Sequence, residues 1–271
     1  FRSDAPVGTT AKSFFGLKDD HVFEIGLTPN RVDAASHIGV ARDLSALLNL
    51  RAGSAGAHPL QWPSVNEPVS AGSSQPIRVT VEDVEGCPRY SGITIEGVTV
   101  ADSPSWLQDR LKAIGIHPIN NIVDITNFVL HECGQPLHAF NADRIKGGHV
   151  RVRRAVAGEK FFTLDGVERI LNPEDLMICH ENSPMCLAGV FGGLESGIDA
   201  GTTRVFLESA YFQPATIRKT GKAHGLKTDA SFRYERGADP SITLIALKRA
   251  VGLIQEVAGG KVVGPVLDHY P

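Results

Sequence analysis

The sequence predicts an α+β (mixed α/β) protein, with mixed and antiparallel sheets, flanking helices and a small N-terminal α+β remnant. Three observations carry this reading. Strand-like runs and helical periodicities alternate along most of the chain, as they do where helices layer on sheets. Several strand runs are joined by hairpin signals, and Asp165-Gly166 is the strongest of them. No Gly-x-Gly-x-x-Gly follows a strand and no Walker-type loop occurs, which argues against a doubly wound nucleotide-binding sheet.

The elements follow in order. Val22 to Leu27 has strand character, and Thr28-Pro29-Asn30-Arg31 makes a turn. Asp33 is the expected N-cap of a helix carrying Ile38, Ala41, Leu44, Leu47 and Leu48 at helical spacing. Residues 52–76 are rich in Gly, Ala, Ser and Pro and read as a linker. Ile77 to Val84 and Tyr90 to Val100 alternate as half-buried strands do. Ser103-Pro104 is expected to cap a helix whose apolar face is Trp106, Leu107, Leu111 and Ile114, with Gly115 as its stop. A further helix spans Ile122 to Cys133 and ends at Gly134, and His138 is expected in a loop after Pro136. The runs on either side of Asp165-Gly166 form a hairpin. Short strands follow near Leu176–Cys179, Met185–Val190 and Arg204–Ser209. Pro214 opens a short helix. Asp239-Pro240 is expected to cap the last long helix, which carries Leu244, Leu247, Val251 and Ile254 and stops at Gly259-Gly260. The division is therefore 1–51, a partial first domain; 52–76, a linker; and 77–271, the main domain with a return segment at its end.

The chain has 271 residues and a net charge of −3. It is large enough for a substantial core, and the charge argues against a surface that grips nucleic acid over its whole extent. Its first residue is Phe1, which reads as a fragment or a processed chain. No apolar run is long enough for a membrane span. The four cysteines (Cys87, Cys133, Cys179 and Cys186) form no framework and read as reduced, buried thiols of a cytoplasmic protein. Cys179, His180 and Cys186 lack a second ligand pair, so no metal site is expected.

Several residues have both a structural and a functional reading. Glu208 follows Val205-Phe206-Leu207, and a carboxylate at the end of a buried strand is costly unless paired. On residues alone an ion pair with a neighbouring Arg or Lys is favoured. The alternative is an acceptor for a ligand hydroxyl or amine. Gly189-Val190-Phe191-Gly192-Gly193 is a tight turn, or a place where a ligand oxygen reaches a bare backbone N–H. Thr126 and Asn127 sit inside a helix, where they bond their own backbone or face a pocket. Residues 218–236 hold six bases against two acids, either a solvated paired surface or a phosphate-facing patch. Tyr211, Phe212, Phe232 and Tyr234 nearby are core residues or stacking platforms for bases.

Five segments together resemble the beta subunits of bacterial phenylalanyl-tRNA synthetases. They are Thr28-Pro29-Asn30-Arg31 with Ile38-Gly39-Val40-Ala41-Arg42; Val123-Asp124-Ile125-Thr126-Asn127; Gly134-Gln135-Pro136-Leu137-His138-Ala139-Phe140; Phe191-Gly192-Gly193; and His224 through Ser231 with Arg236-Gly237. The resemblance covers the end of the first domain and the paired third and fourth domains. It implies an editing module that hydrolyses tyrosine wrongly esterified to phenylalanine tRNA. By position, Glu208 accepts the tyrosine hydroxyl proton, the Gly192 N–H donates to the same oxygen, and Ala230 stays small to admit the ring. Thr126, Asn127, His138 and Thr228 line the polar end, with His138, Thr228 and Asn127 closest to the chemistry. Arg218, Lys222, Arg233 and Arg236 are the expected tRNA contacts by the charge of their strip, and Phe232 departs from the polar or basic residue common in the family. The implied partners are phenylalanine tRNA and the alpha subunit in a heterotetramer, with no membrane and no DNA. No cofactor is implied for this segment, because ATP and Mg2+ belong to the alpha-subunit site. The alternative is a non-catalytic module for tRNA docking or subunit assembly.

Overall fold

In the run Arg204–Tyr211, Val205, Leu207 and Ser209 point one way and Phe206, Glu208 and Ala210 the other, as the two-residue period of a strand requires. All six are buried. A strand buried on both faces needs a layer on each side, and this demand sets the architecture. The computed structural model describes residues 6–16, 19–71, 76–181 and 183–270.

The strands are β1 (Arg78–Val81), β2 (Arg89–Val98), β3 (Leu137–Asn141), β4 (His149–Arg154), β5 (Lys160–Phe162), β6 (Glu168–Ile170), β7 (Leu176–His180), β8 (Ser183–Leu187), β9 (Phe191–Gly192), β10 (Arg204–Tyr211) and β11 (Gly259–His269). The helices are α1 (Ala11–Phe15), α2 (His37–Ala52), α3 (Ser105–Ala113), α4 (Asn121–Cys133), α5 (Pro214–His224), α6 (Asp229–Tyr234) and α7 (Ile242–Val257). The central sheet is antiparallel in the order β11-β2-β10-β3, and a second sheet runs β1-β4-β7-β8-β9 with only β1-β4 parallel. A separate hairpin pairs β5 with β6. The protein is α+β, as the sequence predicts.

One face of the central sheet carries Ile93, Ile95, Val205 and Leu207 and packs on α3, α4 and α7 through Leu107, Ile125, Leu247 and Val251. The other face carries Tyr90, Phe140, Phe206 and Ala210 and packs on the second sheet, α5 and α6 through Val152, Ile178, Ile217 and Tyr234. At about 25 cal/mol per Å² of apolar area, these two cores supply the main drive to fold. The four cysteines are free and buried.

Several local expectations are corrected. Val22–Leu27 forms no strand: it is exposed, and no strand of the described residues pairs with it. Asp33 lies in a short 3-10 turn, and Ser36 caps α2 by accepting from Gly39 N–H at 3.0 Å. Ser103 does not cap α3. Its hydroxyl donates to Asp124 at 2.6 Å, because Asp124 is buried inside α4 and needs the partner. Asp239 stands ahead of α7 and accepts from Ser241 N–H, but α7 has no side-chain N-cap. His138 is on β3, not in a loop, since Leu137–Asn141 completes the sheet beside β10. Residues 53–71 carry no helix or strand, yet Ala71 N–H donates to Val262 O at 2.9 Å and holds the stretch against β11.

Candidate active site

Strand register builds the site. On the face turned toward the second sheet, Glu208 of β10 stands opposite His138 of β3 on one side and Gly92 of β2 on the other. The turn into β9 and the first turn of α6 close over this row. They leave a cavity of about 70 Å³ lined by His138, Gly192, Glu208, Ala230, Cys186 and Tyr234, among others. Four of the predicted site residues therefore meet at one place.

Glu208 is 4% exposed and has no basic partner among the described residues. Its Oε2 accepts from the Tyr90 hydroxyl at 2.6 Å. Burial pushes the carboxyl up to about 8, with the Tyr90 hydrogen bond opposing, so the acid is mostly protonated at neutral pH. The ion-pair reading favoured from residues alone is thus overturned. The arginines of the nearby helices reach other acceptors, and a buried acid without a cation stays neutral instead.

His138 is half-buried with its ring edge-on to Phe140 at 4.4 Å. Its Nε2 is buried without a hydrogen-bond partner among the described residues. Burial pushes the imidazole down to about 4, so the ring is neutral at pH 7. At Gly192 the wall leaves no room for a side chain. A Cβ there would lie 2.9 Å from Leu164 Cδ1 and 3.1 Å from His138 Cε1. Leu164 reaches that position because its N–H donates to Gly192 O at 3.0 Å, which fastens the Asp165-Gly166 hairpin tip to β9. Gly189 performs the same service below: a Cβ would strike the Phe212 and Tyr234 rings at 2.8 Å, and φ is +66°.

Thr228 does not line the cavity. It caps α6 by accepting from Ser231 N–H at 3.0 Å, within a capping box, and its hydroxyl donates to Val190 O at 3.0 Å. The hydroxyl is therefore committed to holding α6, and with it Ala230, against the β9 turn. Thr126 and Asn127 are also absent from the cavity wall. They sit on α4 behind the central sheet, and the Thr126 hydroxyl donates to Val123 O at 2.7 Å.

The basic strip divides. Lys222 is exposed on α5, and Arg218 donates to Glu235 O at 2.6 Å. Arg236 lies over the Phe232 ring at 3.9 Å and pairs with Glu235. Arg233 is 5% exposed and donates to Ala35 O at 3.0 Å and Asp229 O at 2.9 Å. It is a buried anchor and is not available to a phosphate. Phe212 and Tyr234 are likewise buried in the core, not stacking platforms.

Sequence reasoning missed Tyr90 and Leu164. Strand alternation puts Tyr90 on the same face of its sheet as Glu208, but only the β2-β10 register makes them neighbours. Leu164 is signalled only through the hairpin tip beside it.

A family model described as B3/4 domain matches residues 86–259. The chain belongs to the B3/4 domain family. This B3/4 protein is 54% identical over 265 residues, 98% of its length, to the phenylalanine–tRNA ligase beta subunit of Bacteroides fragilis. It is 55% identical over 269 residues to that of Porphyromonas gingivalis. In each case the match covers 32% of the relative, so the chain spans about a third of their length. The solved N-terminal fragment of the Pyrococcus horikoshii phenylalanyl-tRNA synthetase beta subunit aligns with 89% of the B3/4 protein and 64% of that fragment, at TM-score 0.49 and 16% identity. Among the described residues no helix is long and apolar enough to cross a membrane.

Proposed function

We propose that this chain is the editing module of a phenylalanine–tRNA ligase beta subunit and hydrolyses tyrosine esterified to phenylalanine tRNA. The observation that carries the reading is Glu208: a neutral, buried acid with one oxygen held by Tyr90, facing a small cavity and with no basic partner among the described residues. Tyrosine differs from phenylalanine by one hydroxyl, which an apolar pocket rejects poorly. A pocket that wants the hydroxyl must present it with a hydrogen-bonding partner. Tyr90 occupies Oε2, which leaves the other oxygen of Glu208 for the ring hydroxyl. Phenylalanine would leave that oxygen unpaired, at about 1–3 kcal/mol. The small side chain of Ala230 leaves room for the ring.

In the reaction a water oxygen bonds to the ester carbonyl carbon, the bond from that carbon to the ribose oxygen breaks, and the water's proton passes to the ribose oxygen. The unpartnered Nε2 of neutral His138 accepts from the water and orients it. A ring held near pKa 4 is too weak a base to do more, and orientation itself contributes to rate. Thr228 acts by positioning α6. The polar roles of Thr126 and Asn127 rest on the family resemblance. Phenylalanine tRNA and the ligase alpha subunit are the proposed partners.

The test is release of tyrosine from tyrosyl-tRNA(Phe), with phenylalanyl-tRNA(Phe) alongside, by this chain and by the intact ligase. Selective hydrolysis that is lost in Glu208→Ala is expected. Equal rates on the two esters, or an undiminished rate in Glu208→Ala, would refute the reading.

A further inference from the structure

A second and larger concavity, of about 830 Å³, is lined by residues next in the chain to those of the cavity: Gly192 lines the cavity and Gly193 the groove, Cys186 the cavity and Met185 the groove. Leu164 N–H donates to Gly192 O at the cavity, and Leu194 N–H donates to Phe162 O at 3.1 Å in the groove. Two residues along an extended chain span about 6.6 Å, so groove and cavity are one strand step apart. The groove is lined by Lys146, Lys160, His180, Phe162 and Leu194, with Asp143, Arg144 and Glu195 among its further residues.

These side chains have no structural use that accounts for them. Phe162 is 48% and Leu194 52% exposed, side by side at a hairpin. Lys146 is exposed and pairs with no acid among the described residues, and Lys160 has only a solvent-exposed pair with Glu168. The Nδ1 of His180 is buried without a hydrogen-bond partner among the described residues. Arg144 differs: it is spent on Glu195 O, Gly197 O and Asp199. An exposed aromatic ring on the same face of β5 as Lys160, in a groove that Lys146 also lines, offers what a single-stranded nucleic acid needs: a stacking face and phosphate counter-charges.

We infer that this groove holds the single-stranded 3′ end of the acceptor RNA, with a base stacked on Phe162 and phosphates facing Lys146 and Lys160. The inference rests on the editing reading, in which the amino acid enters the cavity and its ribose and preceding nucleotides must lie outside. It places the RNA end on the β5-β6 hairpin side, not on the basic strip of α5.

Binding of a short fluorescent single-stranded RNA ending in CCA, followed by anisotropy across a salt series, tests it without requiring hydrolysis. Lys146→Glu/Lys160→Glu is expected to weaken binding at least tenfold. It should also flatten the slope of log K against log salt by about 0.7 per lost phosphate contact. Phe162→Ala should weaken binding roughly five- to tenfold with the slope unchanged. All three positions are exposed, and circular dichroism checks that the variants fold. No binding by the unaltered protein, unchanged binding in these variants, or a loss confined to Lys219→Glu/Lys222→Glu would overturn the inference. RNA binding that maps to the groove without tyrosine release would sustain the groove and remove the editing reading. Tyrosine release with neutral groove variants would do the reverse.

Discussion

Glu208 joins stability to function at the level of one residue. An acid whose folded pKa is raised binds its proton more tightly in the native state than in the unfolded chain. The stability it contributes is fully present below the unfolded pKa, near 4.5, and is lost as pH rises through the folded value of about 8. Each unit of separation is worth about 1.4 kcal/mol, so several kcal/mol are at stake for a group this buried. Glu208→Gln keeps an acceptor for Tyr90 and cannot ionise. Relative to wild type, its unfolding free energy in urea should therefore rise by a few kcal/mol between pH 5 and pH 8. Parallel curves for the two proteins over that range would show that Glu208 ionises freely in the folded state. Such an acid would present a carboxylate, not a neutral carboxyl, to a phenolic hydroxyl. The stability curve thus also reports the state in which the pocket reads its ligand.

The helix at the cavity is α6, six residues long and too short to persist alone. It exists because Thr228 caps it, Val190 O receives the Thr228 hydroxyl, and Tyr234 plants its ring in the core against Phe212. Thr228→Ala removes the cap and the tie to the β9 turn together. A cost of about 1–2 kcal/mol is expected from the cap alone, measured by urea unfolding, while Thr228→Ser should restore most of it. If Thr228→Ala were as stable as wild type, the capping account of α6 would fail. This element also marks the limit of reading by pattern. Long periodic helices such as α4 and α7 were legible because their apolar faces repeat over several turns, and the hairpin because Asp165-Gly166 dictates its turn. Helix α6 has too few residues for a period. β3 was hidden because Leu137–Asn141 earns its place only by pairing with β10, which lies sixty-odd residues further along the chain. The cavity was legible in part. Glu208 and Gly192 stand out locally as a buried charge and a bare backbone. Tyr90 became visible only once the register was known, since partners 118 residues apart leave no local trace.

At the scale of the molecule, the described residues ahead of residue 53 reach the core beneath the central sheet through Ile38, and their further attachments are polar. The apolar side chains Val22, Phe23 and Ile25 are exposed, as are Leu44, Leu47 and Leu50 on α2. What fastens the segment is Arg233, buried under it and donating twice to Ala35 O, at 3.2 Å and 3.0 Å. His37 Nδ1 adds a contact to His131 O at 3.1 Å. Arg233 was read from sequence as a phosphate contact, because charge in a basic strip looks the same whether it faces solvent or a carbonyl. Arg233→Met keeps an unbranched apolar stem and removes every donor, leaving Ala35 O without its partner at about 1–3 kcal/mol. That loss falls on the attachment and not on the two main cores. Hydrogen exchange should therefore show faster exchange of the α2 amides that follow the Ser36 cap, while β10, buried between two layers, keeps its protection. If β10 amides lost protection in step with α2, the segment would belong to the same cooperative unit as the sheets, and Arg233 would be part of a single core and not its clasp.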